Sequence, residues 1–521
     1  MLAARAGTRL LRPSSLYAFF KQSPVTLPHL PGPSRSEERK TDRVTRVPGA
    51  MELRERAINI KAAAASSEHG GSGAGAAPES FSLGPVLTSV AVACCGAFAF
   101  GYHLGVVNGP LEVIARDLGF AGNKAMEGMV VSTTLAGAAI GSLTGGGLAD
   151  ALGRRKAFLM AAVPMLVGPL LCAWATDFNT LAAGRALTGV AIGLSSSLVP
   201  TYISEIAPTS LRGALGAVNQ LIICVGILGV LLVNVAFPAT QWRSFFMLGA
   251  IPAGLLALGM LLSPESPRWL QSQGAAASAE AAARRLWGPA AAAELGTAPG
   301  AGGKPEPEVG VADMLGPRFR RGVFIGIILF AIQQFAGINA LVYFSTSVFR
   351  QAGVTSDTLA SAAVGATNVI GTIIAASIIE RAGRKQLLIN SYLGQAAAMF
   401  VMAAGFTLPA LKDLSAPIAV CGTLAYILAF ALGAGPVTGL FVPELNSSKI
   451  RGRAVAAAMT SHWVCNVAVG QTFISAVSNY GLATVYSFFG AVALLGALYV
   501  STKVPETKGK SFEQIEAELQ S

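Results

Sequence analysis

The sequence predicts an all-α membrane protein in which twelve transmembrane helices form two pseudo-symmetric six-helix bundles. Of its 521 residues, 53% are hydrophobic and only 12% are charged, whereas soluble globular domains carry about 25% charged residues. Apolar runs of about 20 residues, the length that crosses a bilayer as a helix, recur from Val86 to Thr502. Charged motifs repeat about 230 to 240 residues apart, which indicates an internal duplication. These observations exclude a soluble multidomain protein and a chain that is disordered throughout.

The first 80 residues differ in composition from the rest of the chain. Residues 1–36 contain five basic residues and no acidic residue, and Ser and Pro are frequent. This composition is typical of an organelle transit peptide, and a disordered cytosolic tail is the alternative. Residues 62–80 are rich in Ala, Ser and Gly, so residues 1–80 are predicted to be a transit peptide with a disordered linker. Met51 is a second candidate start of the chain.

The apolar runs define twelve predicted spans in two sets of six. They cover residues 86–108, 129–149, 157–176, 181–203, 213–237, 244–263, 322–347, 359–379, 386–408, 416–443, 453–478 and 481–502. The first set belongs to an N-terminal bundle (81–263), and the second set forms a C-terminal bundle (322–502). A polar connector (264–321) joins the two bundles, and a short tail (503–521) follows the last span.

The duplicated motifs place charged residues at the ends of corresponding spans. The segment from Asp150 to Arg155 follows the second span, and the similar segment from Glu380 to Lys385 follows the eighth. Basic residues are concentrated in the loops after the even-numbered spans. These loops, the connector and both termini are therefore predicted to share the positive side of the membrane, here called the even-loop face. The opposite side is called the odd-loop face.

The fixed spacing of these charges predicts ion pairs and helix-end contacts that lock the two halves together at the even-loop face. Opening the protein toward that face would break them, so the set is a predicted conformational latch. Solvated charges, worth about 1 kcal/mol for each pair, are the alternative. The predicted latch residues are Asp150, Arg154, Arg155, Arg185, Glu205, Arg212, Glu265, Arg268, Glu380, Arg384, Glu444 and Arg451.

The predicted spans contain no Asp, Glu or Lys. Carriers driven by protons or sodium ions commonly use an intramembrane carboxylate, so its absence favours a passive carrier of a neutral solute. Arg185 is the one clearly embedded charge, and we expect it to bond a helix carbonyl or Glu205. His103, in the first span, is expected to be a neutral histidine bonded to a neighbour, and a proton relay is the alternative.

Uncharged amides cluster within the spans. Gln333, Gln334 and Asn339 form a polar stripe in the seventh span, and further amides occur in the fifth, eighth and eleventh. An amide both donates and accepts hydrogen bonds, as a sugar hydroxyl does. A pocket of amides with the aromatic rings of Trp463 and Tyr343 therefore suits a sugar. The alternative is that each amide only joins neighbouring helices, at about 0.6 kcal/mol each.

Other chemistries have no supporting pattern. The six Cys have no paired spacing and the four His have no ligand spacing, so neither a metal nor another cofactor is predicted. No nucleophile–base pair occurs within a span, so the protein is not expected to be an enzyme. The net charge of +11 divides between the N-terminal segment and the even-loop face, so no nucleic-acid partner is expected. The expected partners are a small neutral sugar and the lipid bilayer, and the protein is expected to be monomeric.

These motifs together resemble the sugar-porter branch of the major facilitator superfamily over residues 81–512. The resemblance rests on motifs that include Gly153-Arg154-Arg155, Gly184-Arg185, Pro264-Glu265-Ser266-Pro267-Arg268, Gln333-Gln334 and Pro505-Glu506-Thr507. More specific similarity to plastidic glucose transporters comes from Phe100 to Asn108, Gly433 to Pro436, and His462-Trp463. The resemblance implies the major facilitator fold, with two six-helix bundles that rock against each other.

The resemblance also implies which residues contact the sugar. The hexose contacts of the family fall on Gln220, Gln333, Gln334, Asn339, Asn368, Trp463 and Asn466. Tyr343 matches a gating aromatic residue, and Phe430 is expected to form an apolar gating wall. Two positions of the tenth span depart from the family pattern, because Ala431 and Gly439 stand where animal facilitators have Glu and Trp.

The function implied is transport of a hexose, with glucose as the first candidate, by facilitated diffusion across the plastid inner envelope. A proton-coupled sugar symporter is the first alternative. Proton symporters of the family carry Asp at the position of His103, so this chain departs from their pattern. A transporter-like sugar sensor is the second alternative, and the short tail after Thr502 argues against it.

Overall fold

The computed structural model describes residues 83–208, 210–288, 295, 316–447, 450–510 and 512–520. The predicted transit peptide and linker (1–80) and most of the second half of the connector lie outside the described residues. Over the described ranges the chain is helical and contains no β-strand. The all-α prediction is therefore confirmed.

Within each set of six the spans alternate direction and follow one another through short connections, and the connector separates the two sets. The first six are Leu83–Gly105, Lys124–Leu152, Arg154–Ala173, Phe178–Ile206, Arg212–Ala236 and Trp242–Leu262. The later ones are built from Arg320–Phe335 with Ile338–Gln351, Asp357–Ala382, Arg384–Thr407, Ser415–Leu432 with Ala434–Leu445, and Arg451–Lys503. Short helices outside this set are Leu111–Asp117, Ala239–Gln241, Pro267–Ser272, Ala276–Trp287, Pro409–Leu414 and Phe512–Gln520.

The helix Arg451–Lys503 accounts for two spans. It is 53 residues long and would extend about 80 Å if straight, against a hydrocarbon core of about 30 Å. Its backbone is non-helical at Gly481 (φ 81°, ψ 158°), where the chain turns back. Within the described residues, eleven apolar helical stretches are long enough to cross a membrane. Dividing the last of them at Gly481 gives twelve, as the sequence predicts.

Two predicted spans are interrupted rather than continuous. The seventh breaks at Gly337, whose φ of 99° is readily adopted by glycine. The tenth breaks at Gly433, where an added Cβ would lie 2.4 Å from the Leu387 carbonyl oxygen. Such breaks free backbone carbonyls at membrane depth, which side chains must then satisfy. Here Tyr426 donates to the Ala336 carbonyl at 2.9 Å, beside the first break.

Close approach of helices in the N-terminal bundle depends on glycine. A Cβ added to Gly137 of the second span would lie 2.2 Å from the Ala186 carbonyl oxygen of the fourth. One added to Gly101 of the first span would lie 1.9 Å from the Ile223 carbonyl oxygen of the fifth. Small residues at such crossings are typical of membrane helices, because dispersion contacts replace the missing hydrophobic driving force.

The two halves are joined toward the odd-loop face. Asn108, just after the first span, bonds the seventh span, and Gln471 of the eleventh span bonds Ser132 at 2.5 Å and the Ala125 carbonyl at 3.0 Å. Toward the even-loop face, a Cβ added to Gly216 or Gly439 would meet no atom within 4 Å. Among the described residues, the hydrogen bonds between the halves lie toward the odd-loop face or midway along the spans, so the structure is closed at the odd-loop face and open toward the even-loop face.

Candidate functional site

The predicted amide stripe of the seventh span forms one hydrogen-bonded cluster. The Gln334 amide nitrogen lies 2.8 Å from His462 Nδ1 and 3.2 Å from the Gln333 side-chain oxygen. The Asn339 amide donates to the side-chain oxygen of Gln334. Gln333 donates to the Ala434 carbonyl at 2.7 Å, just past the break in the tenth span. The cluster therefore links the seventh, tenth and eleventh spans.

His462 is a member of this cluster that the sequence argument does not include among the sugar contacts. Its Nδ1 faces the Gln334 amide, which donates, so the ring proton is on Nε2 in the neutral form. The ring packs edge-on against Phe330 and Trp463, with centroids 5.4 and 4.9 Å away. Its position directly before Trp463 is the only signal in the sequence that could have found it.

Tyr343 and Asn466 form a second buried pair between the seventh and eleventh spans. The Asn466 side-chain oxygen and nitrogen lie 3.2 and 3.1 Å from the Tyr343 hydroxyl. Both side chains are buried. The predicted gating tyrosine is thus hydrogen-bonded to a predicted sugar contact.

Trp463 lies where the two halves meet. Its ring is 1% exposed and stands 6.1 Å from the ring of Phe100, which belongs to the first span. Its indole Nε1 is buried and has no hydrogen-bond partner among the described residues. A buried indole N–H usually finds an acceptor, so this group is available to an oxygen atom of a ligand.

Gln220 and Asn368 lie on the facing fifth and eighth spans. Cys224 and Thr372 join these spans, with 3.4 Å between the thiol sulfur and the hydroxyl oxygen. Gln220 is exposed and sits one turn before Cys224, whereas Asn368 is buried and sits one turn before Thr372. The structure gives neither of them a hydrogen bond to the amide cluster within the described part of the chain.

Phe430 lies immediately before the break in the tenth span. It is half-buried, and its ring is 2.9 Å from the position of a Cβ on Gly435. It packs against two hydrophobic clusters, one that contains residues of both halves and one confined to the C-terminal half. This placement suits the predicted apolar wall, which stays a prediction.

Arg185 lies near the odd-loop end of the fourth span and is fully buried. Its guanidinium donates to the carbonyls of Val130 and His103, each at 3.1 Å. Glu205 lies 20 residues later on the same helix, or about 30 Å away at 1.5 Å per residue. Grouping Arg185 with the even-loop latch is therefore wrong. The two partners expected for it are a helix carbonyl and Glu205, and it bonds helix carbonyls.

His103 is fully buried beside this guanidinium. Its Nε2 lies 3.1 Å from the Gly249 carbonyl oxygen, which can only accept, so the neutral ring carries its proton on Nε2. Its Nδ1 has no partner among the described residues. The contact to a neighbour is the one expected for a neutral histidine.

The observed helices extend beyond the predicted spans and so include carboxylates near their ends. Glu127 lies in the first turn of the second span, is 5% exposed and pairs with Lys124 at 3.0 Å. Glu205 lies in the last turn of the fourth span. The statement that the spans lack carboxylates therefore holds for their central parts.

Glu265 and Glu506 cap helices from distant segments. Glu265 accepts hydrogen bonds from the backbone N–H groups of Arg154 and Arg155, the first residues of the third span, at 3.0 and 3.1 Å. Glu506 does the same for the first two residues of the ninth span, at 3.0 and 3.1 Å. Unpaired N–H groups and partial positive charge at a helix start favour a carboxylate there. The duplicated charges thus serve each half in the same way.

The ion pairs of the predicted latch that the structure gives lie within one half. Arg154 contacts Glu205 at 2.8 Å and Asp150 at 3.0 Å, and Arg384 contacts Glu444 at 3.5 Å. These pairs brace the even-loop ends of the spans in a state that is open at that face. A latch between the halves stays a prediction for the opposite state.

The remaining latch residues have varied surroundings. Arg155 donates to the Met260 carbonyl at 2.9 Å, and Arg451 donates to the Asn446 carbonyl at 3.4 Å. Arg268 lines a cavity shared with the ion pairs of Arg154. The side chain of Glu380 lies outside the described residues. Arg212 has two buried guanidinium nitrogens, Nε and Nη2, without a hydrogen-bond partner in the described ranges.

Comparison with known proteins identifies similar chains. The family model described as Sugar (and other) transporter matches residues 89–519. Plastidic glucose transporter 4 of Arabidopsis thaliana is 49% identical over 447 residues, which are 85% of this chain and 82% of that protein. Probable plastidic glucose transporter 1 of the same plant is 42% identical over 470 residues, which are 85% of this chain and 86% of that protein. The inward-open structure of the xylose transporter XylE from E. coli matches with a TM-score of 0.70 and 29% identity, over 83% of this chain and 99% of that one.

Proposed function

Because the chain belongs to the sugar transporter family of the major facilitator superfamily, we propose that it carries a hexose, with glucose as the first candidate, across the plastid inner envelope by alternating access. The observation that carries the proposal is the amide cluster around Gln334 beside the buried, unpartnered indole N–H of Trp463. Two relatives that each match over 85% of the chain are named plastidic glucose transporter 4 and probable plastidic glucose transporter 1, which supports the substrate and the location.

The cluster can exchange its internal hydrogen bonds for bonds to sugar hydroxyls. Gln333, Gln334 and Asn339 together offer hydrogen-bond donors and acceptors. A sugar hydroxyl that breaks a hydrogen bond between two of these amides can therefore form a new bond to each of them. The Trp463 ring is buried in this state and would supply an apolar surface for the C–H face of the sugar once it becomes accessible. Exchange of this kind binds a neutral polyhydroxylated solute without burying an unpaired polar group.

Access to the cluster would alternate between the two faces. In the present state the bundles meet toward the odd-loop face, so a sugar would enter or leave from the even-loop face. Rocking of the two halves about the bound sugar would open the odd-loop face instead, as expected for carriers built from repeated bundles. Transport of this kind makes and breaks no covalent bond in the solute.

The surroundings of Arg185 support passive transport. The guanidinium is satisfied by two backbone carbonyls, and its neighbour His103 contacts a carbonyl as a neutral ring. A carboxylate at this place could bind and release a proton during transport, whereas no described carboxylate bonds this guanidinium. The proton-coupled symporter therefore remains the second candidate, and the sugar sensor has no observation that favours it.

The protein reconstituted in liposomes is expected to equilibrate radiolabelled glucose without accumulating it. Collapsing the pH gradient with a protonophore should leave the initial uptake rate and the plateau unchanged, because no carboxylate of the described residues bonds the amide cluster. Competition by other hexoses, by xylose and by polyols would define the range of substrates. Accumulation above the external concentration that a protonophore abolishes would replace the passive carrier with the symporter.

We expect the full chain to be found in the inner envelope of plastids. Immunodetection in fractionated envelope membranes checks this expectation, with marker proteins of the outer envelope and thylakoids as controls. Recovery of the protein in the plasma membrane or the vacuolar membrane would contradict the proposed location and would leave the transport activity to be judged separately.

A further inference from the structure

A basic groove lies at the even-loop face of the C-terminal half, between the start of the seventh and ninth spans and the end of the twelfth. The cavity measures about 690 Å³. Four cationic side chains line it, from Arg320, Arg321, Lys385 and Lys503, against one carboxylate, from Glu518. The sugar site and the charge pairs of the predicted latch do not use these four cations.

Most of this positive charge is uncompensated. The side chains of Arg320, Lys385 and Lys503 make no ion pair or hydrogen bond within the described part of the chain, and Arg321 donates only to the Leu519 carbonyl, at 2.7 Å. The one carboxylate of the groove is already paired with a lysine of the tail. Like charges held close together repel one another, so an anion that bridges them is favourable.

Exposed apolar side chains of two spans flank the groove. Phe324 of the seventh span lies about one turn after the two arginines and is 47% exposed. Leu498 lies about one turn before the end of the twelfth span and is 59% exposed. Phe324 lines the groove, Leu498 directly precedes the lining residue Tyr499, and both lie near the even-loop ends of their spans. Tyr499 and Thr502 add hydroxyl groups to the groove lining. Cations and hydroxyls below an apolar entrance match a charged headgroup with attached acyl chains.

We propose that this groove binds an anionic membrane lipid through its phosphate or sulfonate headgroup, with the acyl chains lying along Phe324 and Leu498. Basic pockets between spans on the positive side of a membrane protein are suited to such headgroups. The bound lipid would bridge the seventh, ninth and twelfth spans and so stabilise the C-terminal half. The inference does not depend on which solute the protein carries.

The test compares lipids that differ only in headgroup. Thermal unfolding of the full chain in detergent is measured with added phosphatidylglycerol, phosphatidylcholine of the same acyl chains, or inorganic phosphate. Phosphatidylglycerol is expected to raise the melting temperature by about 5 °C over phosphatidylcholine, as saturating binding to the folded state would. An equal shift with both lipids would overturn the proposal, and a shift with inorganic phosphate alone would replace the lipid with a free anion.

Charge removal assigns the effect to the groove. The variant Arg320→Gln/Lys385→Gln/Lys503→Gln is expected to lose most of the phosphatidylglycerol shift. The matched variant Lys156→Gln/Arg284→Gln/Arg285→Gln removes three charges from the start of the third span and from the connector helix Ala276–Trp287, and it is expected to keep the shift. Retention of the shift in the first variant would overturn the proposal.

A measurement on the unsubstituted protein covers the case in which the first variant does not fold. Native mass spectrometry from a mixture of the two lipids should show phosphatidylglycerol retained in preference to phosphatidylcholine. Equal retention of the two lipids would overturn the proposal without any variant.

Discussion

Replacing Gln334 with leucine is expected to reduce the initial rate of glucose uptake about a hundredfold while the protein still folds. Gln334 lies at the centre of the amide cluster and contacts Gln333, Asn339 and His462. Leucine has a similar shape but offers no donor or acceptor, so sugar hydroxyls lose their partners. Two lost hydrogen bonds at about 1 to 1.5 kcal/mol each correspond to a factor of about 100.

The control for this prediction is Gln386→Leu. Gln386 is an exposed amide at the start of the ninth span and bonds only Asn390, so its loss removes an amide without touching the cluster. Uptake by this variant should stay near that of the unsubstituted protein. Stabilisation by glucose in thermal unfolding should also be lost for Gln334→Leu and kept for Gln386→Leu. Uptake within twofold of normal by Gln334→Leu would remove the cluster from the proposed sugar site.

The composition of the cluster could be predicted from the sequence, but its geometry could not. On a continuous helix with 100° per residue, Asn339 would point about 140° away from Gln334. The break at Gly337 turns the second part of the seventh span, and Asn339 then donates to the Gln334 side chain. A single glycine in an apolar run does not predict an interruption of the helix, because glycine is common in membrane helices.

For the charged motifs as well, the sequence predicts the local positions of the residues, whereas their contacts depend on the tertiary structure. Their duplication and their position at span ends could be read from spacing alone. That Glu506 would accept backbone N–H bonds from the start of the ninth span, more than 100 residues earlier in the chain, depends on how the twelfth span packs. The misplacement of Arg185 has another cause, because the predicted span 181–203 already puts it near the odd-loop end. What the sequence could not give is that its partners would be the carbonyls of Val130 and His103 on other spans.

The two faces of the protein differ in what holds the halves together, and this difference bears on which state is populated. At the odd-loop face the halves are bridged directly by polar side chains such as Asn108 and Gln471. At the even-loop face the charge pairs that the structure gives stay within each half, and Arg212 keeps unpartnered guanidinium nitrogens there. We expect Arg212 to gain a partner from the C-terminal half when the halves approach each other at that face.

Asn108→Leu is expected to shift the protein toward the state that is open to the odd-loop face. The Asn108 amide donates to the Val342 carbonyl and the Ser345 hydroxyl, both at 2.8 Å, and its oxygen accepts from the Thr346 backbone N–H at 3.0 Å. The side chain is 1% exposed, and leucine of similar size makes none of these bonds. Three bonds at about 1 kcal/mol each would change the equilibrium between the two states by about a hundredfold.

Labelling of Ser347→Cys with a membrane-impermeant maleimide measures this shift. Ser347 lines a cavity of about 260 Å³ on the odd-loop side, and the same protein without Ser347→Cys corrects for the six native cysteines. The labelling rate should rise at least about tenfold with Asn108→Leu, which is less than the shift in the equilibrium because access of the reagent also limits the rate. The surface control Asn390→Leu should leave the rate unchanged. An unchanged rate with Asn108→Leu would show that these bonds do not hold the odd-loop face closed.

The same assay tests the predicted latch, because the two faces act on one equilibrium in opposite directions. If Arg212 gains a partner only when the even-loop face closes, Arg212→Gln removes stability from the odd-open state alone. Adding Arg212→Gln to Asn108→Leu should therefore return the Ser347→Cys labelling rate toward its original value. If the double variant labels as fast as Asn108→Leu alone, Arg212 does not belong to a latch between the halves, and its role is confined to the N-terminal bundle.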